Sequence, residues 1–95
     1  INNNSLSIEL CDDVKNKVIY PTQATIDNAI EFTKTKMIQY GINKTHVIRH
    51  YQVNGKPCPV YWVDNSKWKT EFHNKLQGGQ GIMINGTGLI VMEML

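Results

Sequence analysis

His50, Lys56 and Cys58 place an imidazole, an ammonium and a thiol on one short stretch, Val47-Ile48-Arg49-His50-Tyr51-Gln52-Val53-Asn54-Gly55-Lys56-Pro57-Cys58-Pro59. Imidazole nitrogen and thiolate sulfur are the donors zinc prefers, and a lysine two residues from the thiol would stand beside any bound metal. The chemistry this suggests is metal-assisted hydrolysis, with Lys56 stabilising a developing oxyanion. Glu9, a lone carboxylate on a patterned strand, is the candidate base for an activated water. A catalytic zinc takes three protein ligands and leaves one position open. The stretch supplies two. Each residue also has a plainer reading: His50 as a hydrogen-bonded strand-end residue, Lys56 as a solvated loop lysine, and Glu9 as a surface position on an edge strand.

The elements that must position these groups follow from the patterning. Residues 5–11 alternate, with Leu6, Ile8 and Leu10 on one side and Ser5, Ser7, Glu9 and Cys11 on the other, which predicts a strand with one face on a core. Residues 12–17 are polar and read as a loop. A long helix runs from an N-cap at Thr22 to a C-terminal glycine at Gly41. Its stripe is Ile26, Ala29, Ile30, Thr33, Met37 and Tyr40. Residues 45–50 read as a short strand and 51–63 as a loop rich in Tyr and Trp. Gly55 lets that loop double back, and Pro57 and Pro59 stiffen the chain around Cys58. Asp64 or Asn65 caps a helix carrying Trp68, Phe72 and Leu76 at four-residue steps. Residues 77–81 are linker-like. Two apolar runs follow, on either side of Asn85-Gly86, a hairpin signal.

The remaining candidates carry less chemistry. On an extended strand His46 would lie about 13 Å from His50, too far to share an ion. His73 is expected on the exposed side of the last helix, and Arg49 is expected to point away from His50 toward an acid. Ser5 and Ser7 have no His-plus-acid partners, which argues against a serine hydrolase. Cys11 and Cys58 form no CxxC pair and read as two reduced thiols or one disulfide.

Bulk properties bound the rest. Ninety-five residues with 41% apolar and 19% charged content fit one small globular domain. A formal charge of +2 with scattered Lys and Arg gives no footprint for nucleic acid. No apolar run approaches the roughly 20 residues a membrane helix needs, and no signal peptide is visible. The chain opens Ile1-Asn2-Asn3-Asn4 without an initiator Met, which suggests a piece of a longer protein.

The stretch from Val47 to Pro59 resembles the signature of zinc-dependent N-acetylmuramoyl-L-alanine amidases of the phage endolysin and bacterial autolysin type, which share the fold of the peptidoglycan recognition proteins. Asn3-Asn4-Ser5-Leu6-Ser7-Ile8-Glu9-Leu10-Cys11 resembles that family's glutamate-bearing strand. The long helix, the Gly41 turn and the Trp68–Phe72 helix follow in the family's order, so the likeness covers roughly residues 3–76. It implies an α+β fold, a mixed β-sheet flanked by helices and truncated at its N-terminus, with 1–76 as the C-terminal part of an amidase domain and 77–95 as a Gly-rich linker and apolar hairpin-like tail. It further implies His50 and Cys58 as zinc ligands, Glu9 and Lys56 as catalytic groups, and Tyr51 and Tyr61 as groove residues, with Trp62 more suited to the core. The substrate implied is bacterial peptidoglycan, cut between N-acetylmuramic acid and L-alanine at the cell wall, outside the cell that made the enzyme. The family's third ligand is a histidine on an earlier strand. No histidine precedes His46 here, so the isolated chain is expected to hold zinc weakly and to be inactive. The alternative is a fragment that binds peptidoglycan without cutting it, or that associates with its own N-terminal half or another copy through an open sheet edge and the apolar tail.

Overall fold

The computed structural model describes residues 5–15, 18–76 and 88–94. Strand β1 (Ser5–Leu10) keeps the expected alternation: Ile8 and Leu10 are buried while Ser7 and Glu9 are exposed. The expected polar loop after it is instead a small antiparallel ribbon, β2 (Asp13–Lys15) with β3 (Val18–Tyr20), in the register Asp13↔Tyr20. The run Val18-Ile19-Tyr20 has high strand propensity, which outweighs the polar residues around it.

Helix α1 (Gln23–Tyr40) begins and ends where its caps require. Thr22 Oγ1 accepts the Thr25 N–H at 3.1 Å, and Gly41 sits at φ +64°, returning its N–H to the Met37 carbonyl. Only glycine enters that left-handed conformation at no steric cost. Ile26, Ala29, Ile30, Thr33 and Met37 form its buried face. The stripe stops there, because Tyr40 is 55% exposed.

The strand expected over 45–50 is shorter. Lys44–His46 is a single 3-10 turn, with Asn43 Oδ1 accepting the Thr45 N–H at 2.9 Å, and β4 covers only Val47–Arg49. His50 then opens a short helix, α2 (His50–Asn54), which ends at Gly55 with φ +81°. The expected loop thus holds a helical turn and, further on, a 3-10 turn at Val60–Trp62. Helix α3 (Asn65–Glu71) starts under Asp64, whose Oδ1 accepts the N–H groups of Ser66 and Lys67 at 2.8 and 3.2 Å. It gives way to a 3-10 turn at His73–Leu76. Among the described residues no helix is long and apolar enough to cross a membrane.

The last strand, β5 (Leu89–Met94), lies in the middle of a three-stranded parallel sheet ordered β1-β5-β4. Ser5↔Leu89 through Leu10↔Met94 pair on one side, and Val47↔Ile90 through Arg49↔Met92 on the other. The expected α+β fold is present, with its strands in two sheets rather than one mixed sheet: this parallel unit and the separate β2–β3 ribbon, with helices packed against them. Residues 77–87, the expected linker and first hairpin arm, lie outside the described residues. The second arm is β5, and its continuous burial over Ile90, Val91 and Met92 is what a central parallel strand requires. The apolar character of this part of the tail is thus accounted for inside the sheet. Its core-facing residues, Ile90 and Met92, join Ile8, Leu10 and Val47 over α1 and an aromatic cluster of Tyr61, Trp62, Trp68 and Phe72.

Candidate metal centre

All three parallel strands end at the same edge, so their carboxyl-terminal residues are neighbours, the usual location of sites in parallel sheets. The period of two puts Glu9, Val91 and Glu93 on the sheet face opposite the core. Glu9 and Glu93 are direct register partners. His50 follows the last residue of β4 and meets Glu93 from the other side, with Nδ1 and Oε1 3.2 Å apart.

Cys58 reaches this corner because the loop turns back on itself. Gly55 closes α2, Asn54 Oδ1 accepts the Lys56 N–H at 3.1 Å, and the Tyr51 N–H donates to the Cys58 carbonyl at 2.9 Å. This last bond also satisfies an N–H at the start of α2 that has no partner within the helix. The Cys58 thiol is buried and accepts the Met94 N–H at 3.5 Å. One ligand atom each from His50, Cys58 and Glu93 lie within 4.8 Å of one another. Cys58 is 3% exposed, whereas the side chains of His50 and Glu93 keep 21% and 25% of their surface, so the cluster opens to solvent on one side. Nitrogen, sulfur and oxygen donors converging with one open side fit zinc, whose catalytic sites combine three such ligands with a solvent position.

Arg49 holds the loop in place but, among the described residues, pairs with no acid, contrary to expectation. It is 5% exposed, and its Nη1 donates to the carbonyls of Trp62 and Val63 at 2.9 and 3.1 Å, while Nε donates to Gln52 Oε1 at 2.9 Å. Burial lowers its pKa, yet a guanidinium stays charged and its donors are met by carbonyl oxygens.

The other expected site residues separate into two groups. Glu9 is exposed at the same sheet end, one strand away from Glu93, and Lys56 is exposed on the return loop. Tyr51 is exposed and lies under the Arg49 guanidinium at 5.3 Å. Tyr61 belongs instead to the core: it is 7% exposed, its hydroxyl donates to Asp12 Oδ1 at 3.2 Å, and burial followed by the Asp12 charge pushes its pKa up. Trp62 is likewise fully buried. His73 is half-buried rather than exposed; its Nε2 meets the Lys44 carbonyl at 2.9 Å, its ring packs on Trp68 at 5.2 Å, and burial lowers its pKa. Both thiols are free, Cys11 exposed and Cys58 buried.

Glu93 is the residue that sequence reasoning missed. Its signal was present, because a lone carboxylate inside the apolar run 90–95 is as anomalous as Glu9 in its strand. What hid it was the parallel pairing that carries it next to His50, a contact across 43 positions.

The sequence profile of N-acetylmuramoyl-L-alanine amidase matches residues 1–61. The chain is 35% identical over 75 residues to the N-acetylmuramoyl-L-alanine amidase CwlL of Bacillus licheniformis, covering 79% of this chain and 20% of that protein. It is 31% identical over 75 residues to a second Bacillus licheniformis protein, named "Probable N-acetylmuramoyl-L-alanine amidase", with the same 79% and 20% coverage. It thus spans about a fifth of the length of these curated relatives. No solved structure matches. The profile match covers most of the chain, including β1 with Glu9 and the loop that returns Cys58 to His50, and this chain belongs to the N-acetylmuramoyl-L-alanine amidase family.

Proposed function

We propose that this chain carries part of the centre of a zinc-dependent peptidoglycan hydrolase, which cuts the amide between the lactyl group of N-acetylmuramic acid and the first L-alanine of the stem peptide. The observation that supports it most is the return of Cys58 to His50 within a chain of this family. His50 and Cys58 would hold the ion. When bound, zinc supplies Lewis acidity toward the amide carbonyl and activates water. Glu9 accepts a proton from the attacking water and delivers it to the departing amine of L-alanine, a role open to an exposed carboxylate at the strand end. The Lys56 ammonium faces solvent on the return loop, where it stabilises negative charge developing on the carbonyl oxygen. Tyr51, held by Arg49, offers a ring to the substrate at the same corner.

The whole protein acts on bacterial peptidoglycan at the cell wall, in a lytic role of the endolysin or autolysin kind. The isolated 95 residues, which align with a fifth of the relatives' length and have no histidine before His46, are expected to turn over murein poorly or not at all. Digestion of purified murein by the longer protein tests the reading. New L-alanine amino termini should appear, and Glu9→Gln and Lys56→Met should each reduce their release by about 10²–10³-fold, the cost of removing one transition-state group. Soluble products that keep the lactyl–alanine bond intact would refute it.

A second reading, association with another copy or with the protein's own N-terminal half, keeps one supporting observation. Among the described residues β1 is paired on one side only, and a cavity of about 550 Å³ lined by residues including Ser7, Cys11, Asn28 and Phe32 runs beside it. Sedimentation distinguishes the two: a monomer at high concentration removes the self-association version.

A further inference from the structure

We propose that Glu93, on the central strand β5, is the third protein ligand of a divalent metal centre completed by His50 and Cys58. The proposal rests on the reading of His50 and Cys58 as ligands but not on amide hydrolysis, and it places the third donor in a segment that the family's sequence pattern does not use.

The geometry points to Glu93 in three ways. First, the three ligand atoms lie within 4.8 Å of one another, and the His50–Glu93 pair is already 3.2 Å apart. Bonds of about 2.0–2.3 Å at tetrahedral angles put donors roughly 3.3–3.8 Å apart, so one ion can bridge them with small side-chain adjustments. Second, β5 also addresses the thiol directly, since the Met94 N–H donates to Cys58 Sγ at 3.5 Å. That contact holds the sulfur at the end of the strand that carries Glu93. Third, burial is graded in the sense a metal site needs. The soft ligand is enclosed, and the imidazole and carboxylate border solvent, leaving an approach for a fourth, exchangeable ligand.

Glu93 is also the better placed of the two neighbouring carboxylates. Glu9 is its register partner, but β5 lies between β1 and β4, so Glu9 is one strand further from His50. The two acids can therefore divide the work, Glu93 holding the ion and Glu9 remaining free in solvent. Sequence position adds a consequence. His50, Cys58 and Glu93 come from α2, the return loop and β5, so an ion bound by all three fastens the central strand to the β4 side of the molecule. Metal binding then adds directly to folding stability.

The test uses zinc and cadmium alone, added to the metal-free 95-residue chain. Zinc affinity is measured by competition with a chromophoric chelator, and the cadmium NMR resonance reports which atoms are bonded to the ion. Glu93→Gln should weaken zinc binding at least ~10-fold, a loss that even outer-shell partners cause. Glu93→His should restore the affinity and move the cadmium resonance, because a nitrogen replaces an oxygen in the donor set. Glu31→Gln, an exposed carboxylate on α1, should change neither. Circular dichroism checks folding; if Glu93→Gln does not fold, Glu93→Asp and Glu93→His carry the comparison. An unmoved cadmium resonance in Glu93→His overturns the proposal, since it places Glu93 outside the donor set. So does equal zinc affinity in Glu93→Gln and the parent, or a parent that binds neither ion. A chain that binds metal through Glu93 while the longer protein leaves murein intact would refute the amidase reading alone.

Discussion

Two clusters adjoin Arg49, one through Trp68 and the other through His50, and they treat their polar atoms in opposite ways. On the core side, Tyr20, Tyr61, Trp62, Trp68 and Phe72 form a chain of ring contacts with centroids 5.1–5.7 Å apart. Their polar ends are spent inside the fold: Tyr61 donates to Asp12, while Tyr20 and Trp62 both donate to Glu71 Oε1. At the strand ends, His50, Cys58 and Glu93 bring donor atoms together and leave part of two side chains in solvent. The first cluster lowers the free energy of folding. The second gathers electron pairs that only a proton or a metal ion can satisfy together. A buried polar group costs free energy unless it is paired, and here His50 pairs with Glu93 and the Cys58 sulfur with the Met94 N–H at a corner that stays half open.

The contrast is broken most severely from the core side. Trp62→Ala should destabilise the chain by about 3–5 kcal/mol, the cost of deleting a large buried aromatic side chain. Trp62 is fully buried, touches Tyr61, Trp68 and Phe72, and donates to Glu71, so no neighbour can fill the space. Chemical denaturation should show a midpoint far below that of the parent, or no folded baseline. A loss under about 1 kcal/mol would mean that the aromatic cluster is not the centre of the core.

The next largest effect concerns Glu71, which accepts from both Tyr20 and Trp62 and so ties β3 and the 60–62 turn to α3. Glu71→Gln should cost about 1–3 kcal/mol, because a buried donor loses its charged acceptor. The same substitution should be visible in a titration. Burial, and then the hydrogen bond to Glu71, push the Tyr20 hydroxyl from 10.0 up to about 12. The folded state therefore holds this proton more tightly than the unfolded chain. The associated stability is fully present below pH 10 and is lost as pH rises from there through about 12. In Glu71→Gln the phenolate absorbance of Tyr20 should develop at lower pH than in the parent, provided the fold is retained. An unchanged titration would show that Glu71 does not hold this hydroxyl.

These two clusters were unequally legible in the sequence. The ends of α1 were readable from Thr22 and Gly41, since a side-chain cap and a left-handed glycine are local requirements. β1 was readable from its alternation, and Trp68, Phe72 and Leu76 from their helical spacing. The return of Cys58 followed from Gly55 and the prolines beside it. The rest depended on contacts distant in sequence. β5 reads as a hairpin arm because Asn85-Gly86 is a strong local signal, whereas parallel pairing with β1 and β4 leaves no local trace. Arg49 was expected to seek an acid and instead found the carbonyls of Trp62 and Val63, which only the folded loop presents. Tyr61 was a groove residue only by what the family resemblance implies, and its partner Asp12, which holds it in the core, lies 49 positions away. The chemistry of the site was thus half legible, and the missing half was carried by topology.

A smaller effect separates the two clusters by acidity. Burial lowers the pKa of His73, wedged against Trp68 with Nε2 on the Lys44 carbonyl, so the folded state prefers the neutral ring. A depressed histidine pKa contributes stability that is present above the unfolded value of about 6.5 and is lost as pH falls through the folded value. Denaturation of the metal-free chain at successively lower pH should show the midpoint falling below about pH 6.5, and a His73→Phe variant should show a shallower decline. An equal decline in both would assign the acid sensitivity to other groups.

The smallest expected effect on the fold is also the one that sharpens the comparison most. Glu9 is exposed, lies on the face of β1 away from the core, and has Glu93 as its neighbour across the pair. Two carboxylates side by side repel, so Glu9→Gln removes a small unfavourable interaction. Its stability should change by no more than about 0.5 kcal/mol, as for surface positions outside any paired network. Glu93 accepts from His50 and sits on the central strand, so its replacement should disturb the fold more. If Glu9→Gln instead destabilises the chain by more than about 1 kcal/mol, then Glu9 has structural partners of its own, and the division between a carboxylate that holds and a carboxylate kept free does not stand. If the change is near zero while any murein hydrolysis falls, the residue contributes to chemistry alone, which is the signature expected of a base placed on a strand end and left in solvent.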